Sequence, residues 1–465
     1  AAFLALPGIV SAIYGEKGGF AFLWVALGSA VAGSAIILRK PKNMRFYLRE
    51  GFVTVALSWI LMSVIGCLPF VINGDIPHFA DALFEMISGF TTTGATVVSD
   101  VEGLTKGSLF WRSFSHWIGG MGVLVFLLAI VPMAGGSHMN LMKAESPGPS
   151  VGKLVPKVRQ TAKYLYIIYF ALTMIEVIFL LFGGMNLFEA LTTSFGTAGT
   201  GGFAIWNDGF VSVSPYNQWV VTIFMLLFGV NFGFYFLILT GKLRDALKFE
   251  EVRIYFIIVI AAAVFIFINL RHFALYAPAE GIRQAFFQVA SIITTTGFAS
   301  ADFNLWPETS RTILVLLMFI GACAGSTGGG IKVSRFIIAC KSFIKEIISY
   351  LHPRSVKKIK IEGKPLEHET LRATNVYFMT YMVIFAVSVL LVSIENKDLV
   401  TNFAAVAATF NNIGPGLSLV GPMANFGHFT DFTKYILMFD MLAGRLEIFP
   451  MMLLFCPAVW KRRRA

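Results

Sequence analysis

Four short runs of small residues are the stretches of this chain whose types and spacing can do chemistry. Thr92-Thr93-Gly94 lies within residues 90–96, and Thr295-Thr296-Gly297 within the matching residues 293–299. Looser copies stand at Thr200-Gly201-Gly202 and Asn412-Ile413-Gly414. Glycine adopts φ/ψ values that other residues avoid, so such a run can hold extended backbone with its carbonyls facing one way. Four of them around one axis would make a ring of carbonyl oxygens, a device for replacing the water shell of a potassium ion. One Thr/Gly run alone reads as a polar turn. Four in equivalent surroundings favour the ring.

Those surroundings are apolar. Of 465 residues, 56% are hydrophobic and 14% charged, with a mean hydropathy of +0.73, which excludes a soluble fold and points to a polytopic helical membrane protein. A net charge of +11 would suit nucleic acid. Its carriers, however, sit in short loops between apolar runs, so no nucleic-acid partner is expected. Cys67, Cys323, Cys340 and Cys456 are scattered without metal or disulfide spacing and read as small packed residues. The chain opens at Ala1 inside an apolar run, so a trimmed beginning is expected and no signal peptide can be assigned.

Runs long enough to span a bilayer, roughly 20 residues, fall at 20–38, 52–72, 109–133, 164–184, 219–240, 254–273, 312–343, 376–394 and 435–460, with 1–14 as the remainder of another. Shorter segments at 79–90, 187–195, 281–293 and 399–410 cannot span and read as re-entrant helices, each leading into one of the four glycine runs. The fold expected is an all-α polytopic membrane protein of four pseudo-repeated units (span, short helix, glycine run, span) around one pore, after an N-terminal transmembrane extension. Non-helical backbone at membrane depth is tolerated only where it is buried in protein or lines a watery path. The boundaries expected are 1–45 for the extension, 46–140 for the first repeat, 141–245 for the second, 246–352 for the third and 353–465 for the fourth.

Basic residues orient the chain. Arg39, Lys40, Lys42, Arg45 and Arg49, then Lys143, Lys153, Lys157, Arg159 and Lys163, then Lys242, Arg244, Lys248 and Arg253 join one unit to the next. A larger cluster covers 332–372, including Lys341, Lys345, Arg354, Lys357, Lys358, Lys360 and Lys364, and the chain ends Lys461-Arg462-Arg463-Arg464. The opposite loops carry Asp75, Asp100, Glu102, Asp208, Asp302, Glu308 and Asp431. The positive-inside rule makes the basic segments and the C-terminus cytoplasmic, with anionic lipid as one partner. The short helices then enter from outside with their negative C-terminal ends toward the membrane centre, and the acidic loops would concentrate cations at the mouth.

Two further features lie deep in apolar runs. Gly325, Ser326, Thr327, Gly328, Gly329 and Gly330 interrupt the run at 312–343. Residues 325–332 resemble a phosphate-binding loop, but Ile331 separates Gly330 from Lys332 and no strand precedes them. Since a glycine costs about 1 kcal/mol in a helix, an unwound mid-membrane segment is expected, placed to block the path below the ring. Arg445 is the second feature. An intramembrane arginine points to a polar path and a partner; Asp440 and Glu447 are not three or four residues away, so neither shares its helix face. An ion pair to another helix is the structural alternative. Trp111, Arg112, Ser113, His116 and Trp117 read as interface anchors at the outer end of a span. No catalytic constellation stands out: the seven His are dispersed, and His368-Glu369 lacks a second His for a zinc helix.

Residues 83–94, Trp111-Arg112, 116–122, 324–330 and 444–447 together resemble the membrane subunit of the bacterial Trk/Ktr potassium transporters, most closely the Trk type. The resemblance covers nearly the whole chain. It implies potassium uptake across the bacterial inner membrane through a pseudo-fourfold pore in a homodimer. The filter would be Thr92–Gly94, Thr200–Gly202, Thr295–Gly297 and Asn412–Gly414, with 325–330 as an intramembrane gating loop and Arg445 as its barrier. It also implies a cytosolic nucleotide-binding regulatory ring of the TrkA type, supplied by another chain, and no cofactor in this one beyond the transported K+. Two departures from the family pattern stand out. His116 occupies a position where the family commonly has Gln, and the second and fourth glycine runs lack Thr-Thr-Thr. A proton- or sodium-coupled symporter on the same scaffold is the alternative, with Glu176 and Glu189 as its candidate acids. An intramembrane enzyme is the reading from a different class, and it would leave four glycine runs unexplained.

Overall fold

A computed structural model of the chain describes residues 1–38, 48–122, 158–354 and 358–460. Outside it lie the expected run 109–133 beyond Gly122 and the basic residues Arg39, Lys40, Lys42, Arg45, Lys143, Lys153, Lys157, Lys357 and Lys461 to Arg464.

The described residues are helical apart from loops and a hairpin of two-residue strands, β1 (Lys360–Ile361) and β2 (Lys364–Pro365). Among them, five helices are long and apolar enough to cross a membrane, or six if a bent pair counts as one span. The chain is a polytopic all-α membrane protein.

The first part runs α1 (Ala2–Ile13), α2 (Gly19–Ile37), α3 (Leu48–Asn73), α4 (Phe79–Phe90) and α5 (Lys106–Gly120). Next come α6 (Val158–Phe182), α7 (Leu187–Gly199), α8 (Pro215–Phe228), α9 (Phe232–Leu239) and α10 (Leu243–Ala246). The third part holds α11 (Glu250–His272), α12 (Pro278–Ile293), α13 (Glu308–Ile320) and α14 (Val333–Leu351). The last holds α15 (His368–Val392), α16 (Leu399–Phe410), α17 (Asp431–Arg445), α18 (Phe449–Leu454) and α19 (Pro457–Trp460).

Local chemistry starts these helices where the short segments need to turn. Asn186 and Glu189 form a reciprocal capping box on α7, and Asp398 accepts the Thr401 amide at 2.9 Å to cap α16. Ser214 caps α8 ahead of Pro215 at the first helical position. The short helices α4, α7, α12 and α16 are buried along most of their length. Small residues permit this: Ala404, Ala405, Ala407 and Ala408 of α16 are buried on all sides.

Three of the expected spans are not continuous. The run at 219–240 bends by 88° at Gly229-Val230-Asn231, where the Asn231 side chain accepts the Gly233 amide at 2.7 Å and restarts the helix as α9. The run at 312–343 opens between α13 and α14 at the glycine loop, as its composition indicates. The run at 435–460 breaks after Arg445, with Glu447 at φ 59° and Ile448 at φ 68°. A β-branched residue in that region is costly, so surrounding contacts must hold it there. Ile448 is fully buried, and its amide donates to the Ala443 carbonyl at 2.7 Å.

Candidate functional site

Each of the four short helices ends in the same backbone turn. The residue that opens it is left-handed in all four: Thr92 at φ 55°, Thr200 at 55°, Thr295 at 59° and Asn412 at 55°. Two residues on stands a left-handed glycine: Gly94 at 80°, Gly202 at 80°, Gly297 at 82° and Gly414 at 98°. Between them the amides of Thr93, Gly201, Thr296 and Ile413 donate to the carbonyls of Ser88, Gly196, Ser291 and Ala408 at 2.9, 2.9, 2.8 and 2.8 Å. Glycine takes the second left-handed position without the strain a Cβ would bring.

The four turns close on one another in a circle. A Cβ on Gly94 would strike the Gly201 carbonyl, one on Gly202 the Thr296 carbonyl, one on Gly297 the Ile413 carbonyl, and one on Gly414 the Thr93 carbonyl. All four approaches fall below 3.0 Å, closer than real Cβ contacts come. Residues 92–94, 200–202, 295–297 and 412–414 are therefore brought together, in chain order, as one ring. The C-terminal ends of four helix dipoles lead into it, a local negative potential that favours a cation.

Behind the ring the two kinds of run are supported differently. In the first and third, hydroxyl pairs brace the turn: Thr91 with Thr93 and Thr294 with Thr296, each at 2.8 Å. In the second, Gly201 leaves room for the ring of His116, against which a Cβ would collide. The Phe203 amide donates to His116 Nε2 at 3.2 Å, so Nδ1 carries the proton that the Gly89 carbonyl accepts at 2.8 Å. His116 thus ties α4 to the second turn. In the fourth, Tyr381 donates to Asn411 Oδ1 at 2.9 Å, and Asn412 Nδ2 donates to Thr93 Oγ1 at 3.0 Å and to the Met441 carbonyl at 2.9 Å. The missing threonines are replaced by contacts from elsewhere in the fold.

The reading of Trp111, Arg112, Ser113 and His116 as interface anchors is overturned, while Trp117 is half-buried. Trp111, Arg112 and His116 are buried, and Trp111 donates to the Gly66 carbonyl at 2.9 Å. Arg112 Nε donates to Glu85 Oε1 at 2.8 Å, and its guanidinium stacks 4.2 Å from the centre of the Phe203 ring. Glu85 also accepts from Thr96 Oγ1 and from the Val97 amide, both at 3.0 Å. This ion pair holds the backbone that leaves the first turn. Glu85 enters the sequence reading only within residues 83–94, with no role of its own.

On one side of the ring Gly94, Gly202, Gly297 and Gly414 line a vestibule of about 130 Å³. No aspartate or glutamate lines it among the described residues, but Asn207 of its lining donates to Asp100 at 2.9 Å, so acidic loop residues stand next to it. Those acids are engaged in the loops: Asp75 accepts from Thr105 and Ser108, Asp100 from Asn207, and Asp302 from the Asn304 amide.

On the other side a cavity of about 100 Å³ is lined by Gly325, Ser326, Gly328, Gly329, Gly330, Lys332 and Arg445. The glycine loop abuts the ring: the Gly329 amide donates to Thr295 Oγ1 at 2.6 Å and the Gly330 amide to the Asn411 carbonyl at 3.0 Å. Arg445 donates to the Thr327 carbonyl at 2.9 Å, to Gly120 at 3.0 Å and to Gly119. The loop and the arginine, adjacent in neither sequence nor helix, meet here, together with the C-terminal end of α5. Glu447 pairs with Arg335 of α14. Lys332, buried at the end of the loop, donates to the Gly328 carbonyl.

The candidate acids of the symport reading separate. Glu189 serves as a helix cap, whereas Glu176 is wholly buried on α6. Reading by sequence missed Glu251, buried at the start of α11, and Asp440, buried on α17, where it accepts from Ser388 Oγ at 2.6 Å. Asp440 is a lone carboxyl in an apolar run, the signal that marked Arg445, whereas Glu251 stands among Glu250 and Arg253 just before the run at 254–273 and carried no such signal.

Residues 20–462 match the TrkH family model, described as a cation transport protein. The chain belongs to the TrkH family. It is 37% identical over 471 residues to the Trk system potassium uptake protein TrkH of Escherichia coli K12, covering 98% of this chain and 96% of that one. It is 32% identical to the Trk system potassium uptake protein TrkG of the same organism, over 98% and 94%. The crystal structure of the potassium transporter TrkH from Vibrio parahaemolyticus superposes with a TM-score of 0.88 at 33% identity, covering 99% of this chain and 96% of that one. The TrkH-family proteins it resembles are transporters, and the chain is a transport protein rather than an enzyme.

Proposed function

We propose that the chain takes up potassium across the bacterial inner membrane through the ring of Thr92–Gly94, Thr200–Gly202, Thr295–Gly297 and Asn412–Gly414. The observation that carries this is the circular closure of four equivalent left-handed turns on each other's carbonyls. Carbonyls held in fixed number replace a cation's hydration shell and discriminate by number and arrangement. The potassium named in the relatives' descriptions supports that ion as cargo. Residues 325–330 and Arg445 would gate the path on the side of the basic loops, which the positive-inside rule reads as cytoplasmic together with the C-terminus.

A homodimer and a TrkA-type nucleotide-binding ring complete the reading. It is supported by the family resemblance, by the word system in the relatives' names, and by the basic segments around Lys341, Lys358 and Lys360. Coupling to protons or sodium is the second reading, favoured by the buried carboxyls Glu176 and Asp440.

Reversal potentials in proteoliposomes under separate potassium, sodium and proton gradients test both. A potential that follows potassium alone supports a gated channel-like path. One that shifts with pH or sodium at fixed potassium supports coupling. Equal passage of sodium and potassium overturns the ring as a potassium filter.

A further inference from the structure

One carboxylate oxygen holds both ends of the glycine loop. Glu251 Oε1 accepts the amide of Ala324, just before the loop, at 2.7 Å, and the amide of Ser334, just after it, at 3.0 Å. Glu251 is buried, with 7% of the residue exposed. Its helix α11 is separate from both helices that flank the loop. Eleven residues of chain, Ala324 to Ser334, therefore begin and end on a single atom. Two hydrogen bonds on one oxygen fix the distance between their donors, because both amides must stay within reach of the same atom. We infer that Glu251 is a positioning residue for the gate: it clamps the loop closed by holding its ends together, and opening requires at least one of the two bonds to break.

The neighbouring residue makes the clamp responsive. Glu250 pairs with Lys341 at 2.6 Å, two turns further along α14, and the same ammonium donates to the Lys360 carbonyl of the hairpin at 2.8 Å. Any displacement of that hairpin pulls on α14, whose first turn carries Ser334. This inference rests on the reading of 325–330 and Arg445 as the gate.

The test is basal potassium flux in proteoliposomes holding this chain alone, with Arg445→Ala as the marker of an open gate. Glu251→Gln keeps an acceptor oxygen at the same reach and loses the charge. Glu251→Asp keeps the charge and withdraws the oxygen by one methylene. The expected result is flux near the unmodified level for Gln. For Asp, and for Glu251→Ala where that variant folds, a rise of about tenfold is expected, equivalent to roughly 1.4 kcal/mol. Reversal potentials should stay unchanged in all three, since the ring is untouched. A rise for Gln as large as for Asp would assign the effect to charge and overturn the clamp. Unmodified flux for Asp, with Arg445→Ala raised, also overturns the clamp and leaves the gate standing. If Arg445→Ala itself leaves flux unchanged, the gate reading fails first.

Discussion

Glu85 and Arg112 form a buried ion pair at 2.8 Å between a short helix and the helix that follows its glycine turn. The pair is more than a local brace. Glu85 also accepts the Val97 amide, and Arg112 lies over Phe203, so one charge pair touches the outgoing strands of two neighbouring turns. Removing one partner strands the other charge away from water, a loss of about 3–5 kcal/mol. Arg112→Met is expected to lower thermal stability in detergent by that amount. Adding Glu85→Gln should recover part of the loss, because no charge is then stranded. Should the single variant prove as stable as the double, the pair does not brace the turns.

The ring itself predicts a loss of discrimination. Gly94 has φ 80° and lies against the Gly201 carbonyl, so Gly94→Ser meets both backbone strain and a collision. Relief requires that carbonyl to move, and under the proposed function carbonyl placement selects the ion. The expected outcome is a reversal potential shifted toward that of sodium while the protein still reaches the membrane. Unchanged discrimination in a folded Gly94→Ser protein would count against the ring.

How far these elements were legible depended on where their partners lie. The limits of Phe79–Phe90 and Leu399–Phe410 were readable because an apolar segment too short to span ends in small polar residues. The glycine loop was readable because three consecutive glycines have no helix to stay in. The bend at 229–231 was not, because Asn231 was surrounded by apolar residues and its capping role is a matter of geometry. Arg112 and His116 were misplaced at the membrane surface for a related reason. The bond from Phe203 to His116 joins residues 87 apart, and only the folded chain brings them together. Periodicity reports which face is apolar, but it does not say what lies beyond that face.

Asp398 gives the fourth short helix a pH dependence. Hydrogen bonds from the Thr401 side chain and amide hold its carboxyl below the ordinary carboxylate value of 3.8. A depressed value means that ionised Asp398 stabilises the folded state above the unfolded value, and the contribution is lost as pH falls through the folded one. Asparagine caps helices as well as aspartate does but does not titrate there. The gap in melting temperature between the unmodified chain and Asp398→Asn should therefore narrow or invert as pH drops below the ordinary carboxylate range. A gap constant with pH would place the dependence on other groups.

The last prediction concerns the gate. Arg445 donates to Thr327 in the glycine loop and to the carbonyls at the end of α5, so its guanidinium stands in the cavity beneath the ring. If this cavity is the ion path, as proposed, a fixed positive charge in it repels potassium, and at low effective dielectric that repulsion amounts to several kcal/mol. The loop can yield without melting a packed helix, because residues 325–330 already have no helical backbone to lose. Opening would then straighten the interrupted helix and draw the loop aside. Arg445→Ala should raise basal potassium flux by an order of magnitude or more, since each roughly 1.4 kcal/mol of barrier is tenfold in rate, and leave the reversal potential where it was. Deleting glycines from the loop should do the same. Proteoliposomes containing this chain alone provide the measurement. If both changes leave flux at the unmodified level in folded protein, the barrier lies elsewhere and Arg445 serves to pin α5 to the loop.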